Sequence, residues 1–328
     1  MSLHEVIRGA DALLHQGRRA AARAWPTGFP PLDTYLSGGL RSGELALLGG
    51  PQGLGKTTIA LQLLRNVVAG GAPGIYFSFE HDAPTVLERL VAIEAGHAHG
   101  VEAVPLRRVR EALEAGDGST GGLSQRLSSA TGGADAVAAV SSYADRLFIH
   151  RASGSDTSVE TIRQVVSHVA EKYGEMPLIV IDYLQKILVP GGSAVEEERV
   201  TTIAEGLKDL ALGADVPVFA IVAADKDGLA AGRRLRVHHL RGSSALAYEA
   251  DIVLIMNDKY DVVARHHLVY NVGNAERFRN YVVVSIEKNR SGLDHIDLEF
   301  RKRFEQGRFE VDGALVPEQL VDERVHVE

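Results

Sequence analysis

The chain contains no cysteine. That excludes disulfides and thiolate metal sites and suits a reducing, cytoplasmic compartment. Positive charge is not in excess either: 43 acidic side chains against 35 basic ones leave a formal net charge of -8. A uniform basic coat for nucleic acid is therefore excluded, whereas a locally basic lining is not. Residues 1–24 lack the apolar core of a signal peptide. No run is long and apolar enough to span a bilayer. The strongly apolar segment 178–181 stops at Asp182 and reads as a buried strand. With 45% hydrophobic residues over 328 positions, the chain has material for one large α/β domain or two small ones.

Near the start, Val6, Ile7, Ala10, Leu13 and Leu14 recur at helical spacing, with Arg18 and Arg19 beyond. This predicts a short amphipathic helix whose apolar face needs a partner. Trp25-Pro26-Thr27-Gly28 and Pro30-Pro31 then break the pattern, giving a first segment of 1–26 and a main domain of 27–328. Strands are expected at 44–48, 74–79, 147–150, 178–181 and 217–223, with helices at 57–68, 84–95, 158–172 and 196–212. Such alternation implies a mainly parallel sheet flanked by helices. Further strands at 252–256, 281–287 and 296–300 lack long helices between them and imply an antiparallel extension. The glycine- and serine-rich stretch around 96–145, with Gly116-Asp117-Gly118-Ser119-Thr120-Gly121-Gly122 and Thr131-Gly132-Gly133, is expected to form helices joined by flexible loops.

Gly50-Pro51-Gln52-Gly53-Leu54-Gly55-Lys56-Thr57 fits G-x-x-x-x-G-K-[ST] at every fixed position. A strand enters it and a helix leaves, as a phosphate loop requires. Its glycines let backbone amides turn toward phosphate oxygens, and the helix N-terminus adds partial positive charge. Lys56 would reach the β- and γ-phosphates of ATP, and Thr57 would ligate Mg²⁺. Gly50, Gly53, Gly55, Lys56, Thr57 and Thr58 are thus the candidate nucleotide-binding residues. The competing reading is a chance glycine-rich turn.

A phosphate loop needs a carboxylate on the metal side. Asp182 ends its apolar strand at the edge where open α/β sheets bind ligands. Glu80 closes another strand, Ile75-Tyr76-Phe77-Ser78-Phe79, where a glutamate can orient or deprotonate an attacking water. Each could instead be a solvated strand-end carboxylate. The densest basic stretch of the chain holds Arg233, Arg234, Arg236, His238, His239 and Arg241. It reads either as a phosphate-contacting lining or as a solvated loop.

These residues together resemble the RecA-like motor domain of DnaB-type replicative helicases. The likeness is carried by Thr27-Gly28-Phe29 with Leu32-Asp33, Gly38-Gly39-Leu40, the phosphate loop, Phe77-Ser78-Phe79-Glu80, Leu178 through Gln185, Leu240-Arg241-Gly242-Ser243-Ser244 with Ala250-Asp251, and Lys288-Asn289-Arg290-Ser291-Gly292. It extends from about Thr27 to Phe309. The resemblance implies a RecA-like P-loop fold and a homo-oligomeric, hexameric ring with nucleotide between subunits, driven by ATP and Mg²⁺ along single-stranded DNA. It implies that Glu80 is the catalytic carboxylate and that Thr57 and Asp182 hold the metal. Lys288 and Arg290 would reach into the neighbour's site, Arg290 as an arginine finger. Arg241 and Gly242, with Arg234 and Arg236 just before, would line the DNA path. The helix before Trp25 resembles the linker helix that docks on the next subunit.

The sequence also departs from that pattern. Ala223 stands where the family has a glutamine that senses the γ-phosphate, Gly242 where it usually has glutamate, and Ser244 where it usually has glycine. An alanine side chain has no hydrogen-bonding atom; Lys226 and Gln185 are the nearby candidates to replace the missing amide. The length leaves no room for the family's helical N-terminal domain, so a shortened relative is expected. Two other readings stay open: an ATP-binding assembly module with weak or no hydrolysis, favoured by Ala223, and a KaiC- or RadA-like ATPase sharing the Thr27-Gly28-Phe29 and Gly38-Gly39-Leu40 signatures.

Overall fold

In the computed structural model, the main sheet has, among the described residues, nine strands hydrogen-bonded side by side and a tenth paired with one of them, apart from a short ribbon of Ala24–Trp25 and Leu40–Arg41. The described residues are 2–17, 20–116, 121–193, 195–226, 228–229, 232–269 and 272–323, with the backbone only for Ser243 and Val272. Arg18, Arg19, Asp227 and residues 117–120 of the glycine-rich stretch lie outside them.

The strands are β1 (Leu45–Gly49), β2 (Gly74–Ser78), β3 (Leu147–Arg151), β4 (Leu178–Asp182), β5 (Val218–Val222), β6 (Ile252–Asp258), β7 (Tyr281–Asn289), β8 (Ile296–Arg303), β9 (Arg308–Phe309) and β10 (Ala314–Leu315). Across the sheet the order is β9-β8-β7-β6-β1-β5-β4-β2-β3, with β10 on β8. β6, β1, β5, β4, β2 and β3 are mutually parallel, whereas β7 to β10 run antiparallel to their neighbours. This is the mainly parallel sheet with an antiparallel C-terminal extension that the element pattern implied.

The central strands have no polar face because both faces are covered. Alternate residues of β1, β2, β4 and β5 enter two cores. Ala46, Leu48, Tyr76, Val180 and Phe219 pack beneath α2 (Lys56–Ala69) and α3 (Ala83–His99). Leu45, Leu47, Ile75, Phe77, Ile179 and Val218 pack against α6 (Val159–Tyr173) and α7 (Glu196–Ala214). Between α3 and β3 lie α4 (Leu106–Glu114) and α5 (Gly133–Tyr143), with a single helical turn at Leu123–Arg126 between them. By contrast, α1 (Leu3–His15) buries none of its residues. Among the described residues, no helix is long and apolar enough to cross a membrane.

The Thr27-Gly28-Phe29 and Leu32-Asp33 signatures form one turn. The Asp33 carboxylate accepts from Thr27 N, Thr27 Oγ1 and Gly28 N at 2.7, 2.6 and 3.1 Å. Asn66 of α2 donates to Thr27 O at 2.9 Å, fastening this turn to the helix that follows the phosphate loop.

Candidate active site

Parallel strands deliver their C-terminal ends to one edge of the sheet. There β1 leads into Gly50, β2 into Glu80, β4 ends at Asp182 and β5 leads into Ala223. β5 lies between β1 and β4, so Ala223 sits between the phosphate loop and Asp182. The four strand ends open on a cleft of about 510 Å³, walled also by Arg89, Leu106, Arg241 and Phe304.

The phosphate loop has the backbone its glycines require. Gly55 sits at φ +92° as the residue before α2, and that end of the helix has no side-chain cap. A Cβ at Gly55 would lie 2.8 Å from the ring of Phe309, so conformation and space both call for glycine. The uncapped amides of the first turn face the cleft as donors for an anion. Lys56 folds across the loop, and its Nζ donates to Gly50 O and Pro51 O at 2.7 and 2.8 Å. Burial pushes the Lys56 ammonium below its ordinary value, against the opposing pull of the Asp182 and Glu80 carboxylates.

Thr57 Oγ1 donates to Asp182 Oδ2 at 2.7 Å, joining the start of α2 to the end of β4. Tyr76 of β2 donates to the same oxygen at 2.8 Å. Asp182 is only 2% exposed. Burial first, then the neighbouring carboxylate, raises Tyr76 well above the ordinary phenol value, so it stays a protonated donor. A hydroxyl and a carboxylate oxygen in contact are hard donors of the kind Mg²⁺ takes. Glu80, exposed, opens onto the same cleft, as does Thr58 at the foot of α2.

The structure does not bring Lys288 and Arg290 to this cleft. Lys288 pairs in register with Val253 near the start of β6, and Arg290 N donates to Asp251 O at 2.9 Å. Arg290 therefore lies level with the start of β1, about 17 Å along a five-residue strand from the cleft, while Lys288 is level with Leu47 and turns its side chain away toward Ala247 and Tyr248. Lys288 Nζ donates to Ala247 O at 2.6 Å, and Arg290 donates to Tyr248 O at 2.6 Å and Asp251 Oδ1 at 3.3 Å. Burial, then the Arg290 charge, lowers Lys288.

The arginine-rich stretch divides. Arg234 is buried at 4% exposure and paired with Asp297, and it donates to Ser285 Oγ at 2.9 Å. Arg236 pairs with Glu287 at 2.7 Å and Asp322 at 2.6 Å. Arg236 pins the C-terminal segment to the sheet, and neither of the two side chains lines the cleft. Arg241 alone among the expected DNA-contacting arginines lines it. Its guanidinium contacts Glu196, the first residue of α7, at 2.5 Å. Gly242 follows at φ +80°, just before α8 (Ser243–Glu249), and a Cβ there would lie 2.4 Å from Val200. The usual glutamate of the resembling family has no room at this position. Ser244 Oγ donates to Glu197 at 2.8 Å.

The family of DnaB-like helicase C-terminal domains matches residues 24–310. The chain belongs to it. Among curated members, the replicative DNA helicase DnaB of Treponema pallidum (strain Nichols) is 27% identical over 232 residues, covering 70% of this chain and 47% of the relative. That of Haemophilus influenzae is 25% identical over 305 residues, 92% of this chain and 58% of the relative. The chain thus spans about half the length of the curated relatives it matches. A solved DnaB-like replicative helicase, described together with its interactions with primase, superposes with a TM-score of 0.72 at 20% identity, over 94% of this chain and 68% of its own. A solved ATPase domain reaches 0.71 at 22%, over 94% and 98%. At these identities the two structures establish the shared RecA-like fold and no more.

Sequence did not single out the buried Tyr76 behind Asp182, nor Arg89 and Phe304 in the cleft wall of this DnaB-like domain. Tyr76 is hidden in an apolar strand as one more aromatic. Arg89 reaches the cleft from α3, and its Nε is buried without a hydrogen-bond partner. Phe304 flanks the loop from beyond β8, edge-on to Phe309 at 5.5 Å. Only long-range folding places the last two beside the phosphate loop.

Proposed function

We propose that this DnaB-like domain is an ATP hydrolase that works as a ring-forming motor on single-stranded DNA. The observation that carries the reading is the Thr57–Asp182 contact of 2.7 Å beside Lys56, with Glu80 on the same cleft. Lys56 and the amides of Gly53 to Thr58 bind the phosphates. Thr57 and Asp182 hold Mg²⁺, which when bound neutralises charge on the β- and γ-phosphate oxygens. Glu80 orients and deprotonates the attacking water. Phe304 and Leu106 offer an apolar wall for the base.

Lys288 and Arg290 serve a neighbouring copy, where Arg290 stabilises transition-state charge. Their placement away from the cleft supports this, since they cannot meet their own cleft. Arg241 contacts DNA phosphates in the pore, without reading sequence. The first helix, which buries nothing, fits a linker arm that docks on the next subunit, separate from the domain at 27–328. This reading places the protein in the cytoplasm.

Steady-state ATP hydrolysis with and without single-stranded DNA, using Glu80→Gln as the blank, tests the proposal. DNA-stimulated turnover above the blank is expected. Tight ATP binding with turnover no higher than the blank would favour the second reading, an ATP-bound assembly module. Ala223, which places no polar side chain between the phosphate loop and Asp182, is the observation behind that alternative.

A further inference from the structure

Three hydrogen bonds close a ring at the carboxyl end of β5. Arg241 N donates to Ala223 O at 3.0 Å. Ala223 N donates to Gln185 Oε1 at 3.1 Å, and Gln185 Nε2 donates to Arg241 O at 3.3 Å. Gln185 lies three residues beyond Asp182, on the turn Leu184–Lys186, whose Leu184 is wholly buried. It is thereby tied to the end of β4. Ala223 and Arg241 both line the cleft. A primary amide donates and accepts at once, so one neutral side chain satisfies an N–H on the strand and a C=O on the loop.

We infer that Gln185 is a positioning residue that couples the nucleotide cleft to the Arg241 loop through the backbone of Ala223. The inference rests on the motor reading and specifies how its two ligands communicate. The end of β4 is joined to the phosphate-loop helix through Asp182 and Thr57. Any displacement of that end moves Gln185, and Gln185 draws Ala223 and Arg241 with it. Without the amide the loop remains docked. Ala224 still bridges Leu240, Asp225 N still donates to His239 O at 2.8 Å, and Arg241 still pairs with Glu196. What disappears is the side-chain link from the turn after β4, while the backbone pairing of β4 with β5 at Ile181 and Ala220 remains.

The test is a coupling measurement on the full chain. Affinity for a fluorescent oligothymidylate is measured with a non-hydrolysable ATP analogue and Mg²⁺, and again with ADP. The wild-type ratio is expected to be about 5-fold or more, the lower end of ordinary allosteric coupling. Gln185→Ala should bring the ratio near unity while each ligand alone binds much as in wild type. Gln185→Glu, which keeps the acceptor for Ala223 but loses the donor for Arg241, should do the same. A wild-type ratio retained in both variants overturns the inference, as does a parallel weakening of both affinities at unchanged ratio. A ratio of one in the wild-type protein overturns the motor reading along with it, so the two failures are distinct.

Discussion

Tyr76 and Asp182 are joined by a 2.8 Å hydrogen bond between adjacent strands, at the carboxylate oxygen that also receives Thr57. Two donors on one buried oxygen fix the rotamer of the carboxylate before any ligand arrives. Replacing the phenol leaves Thr57 as the only one of the two, and a hydrogen bond to a charged group contributes about 1.5–3 kcal/mol. Tyr76→Phe is therefore expected to lower the denaturant midpoint by a corresponding amount and to raise the Mg²⁺ concentration needed for nucleotide binding. A midpoint and Mg²⁺ dependence equal to wild type would mean that Tyr76 is only core filling.

Lys56 gives a pH dependence. Burial holds its pKa below 10.5 in the ligand-free cleft, and bound phosphates would raise it again. Between the two values, binding takes up a proton, so affinity falls as pH rises through the ligand-free pKa. Below that pKa the lysine is charged in both states and this linkage vanishes. ATP-analogue affinity titrated from neutral pH toward 10.5 should decline in wild type, and the decline should be absent in Lys56→Ala, which also loses most of the affinity. A flat wild-type profile would contradict the assignment of Lys56 to the phosphates.

The close contact at Gly242 predicts a conditional effect. Gly242→Ala places a Cβ against Val200 and forces a left-handed conformation that costs a side-chain-bearing residue about 1–2 kcal/mol. Thermal stability should fall, and Val200→Ala in the same chain should restore the steric part of the loss but not the backbone part. Equal destabilisation with and without the valine change would remove the steric argument.

Arg234 and Arg241 should separate cleanly. Arg234→Ala leaves Asp297 without its buried partner and should destabilise the fold by about 3 kcal/mol, with no change in the salt slope of DNA binding. Arg241→Ala, whose side chain is 44% exposed, should leave the melting temperature nearly unchanged and reduce that slope by about 1. The opposite pattern would reverse the two roles.

Complementation examines Arg290. Arg290→Ala and Glu80→Gln should each abolish most turnover while sparing ATP binding. Mixed together, they should recover part of it, because some interfaces then pair an intact Glu80 with an intact Arg290. No recovery at any mixing ratio would argue against service to a neighbouring copy.

How much of this was legible in the sequence depended on the range of the interaction. β1, the phosphate loop and α2 were readable because a strand, the four fixed positions Gly50, Gly55, Lys56 and Thr57, and a helix follow one another directly. Asp182 was readable because an apolar run stops on it. The sheet's antiparallel extension followed from strands lacking crossovers. The arginines were harder. Charge density along the chain marks Arg234 and Arg236 as readily as Arg241, yet their carboxylate partners lie 51 to 86 residues away at Glu287, Asp297 and Asp322. No local pattern announces which cations a fold neutralises internally. For the same reason Arg89 and Phe304 came to the cleft unannounced, as did the hydrogen bonds of Gln185 to Ala223 and Arg241, 38 and 56 residues away.

The sheet has one end that carries the phosphate loop and another near which Lys288 and Arg290 place their side chains. If those cations act on another copy's nucleotide, the contact between copies is head-to-tail, each chain offering different surfaces to the copies before and behind it. Such an interface has no symmetry axis of its own to stop addition. It ends only when the rotation per step divides a full circle; otherwise copies climb into a helical filament. The few degrees that decide between a closed ring and an open spiral are then set where the two sheet ends meet, so bound nucleotide would control the shape of the assembly as well as its chemistry.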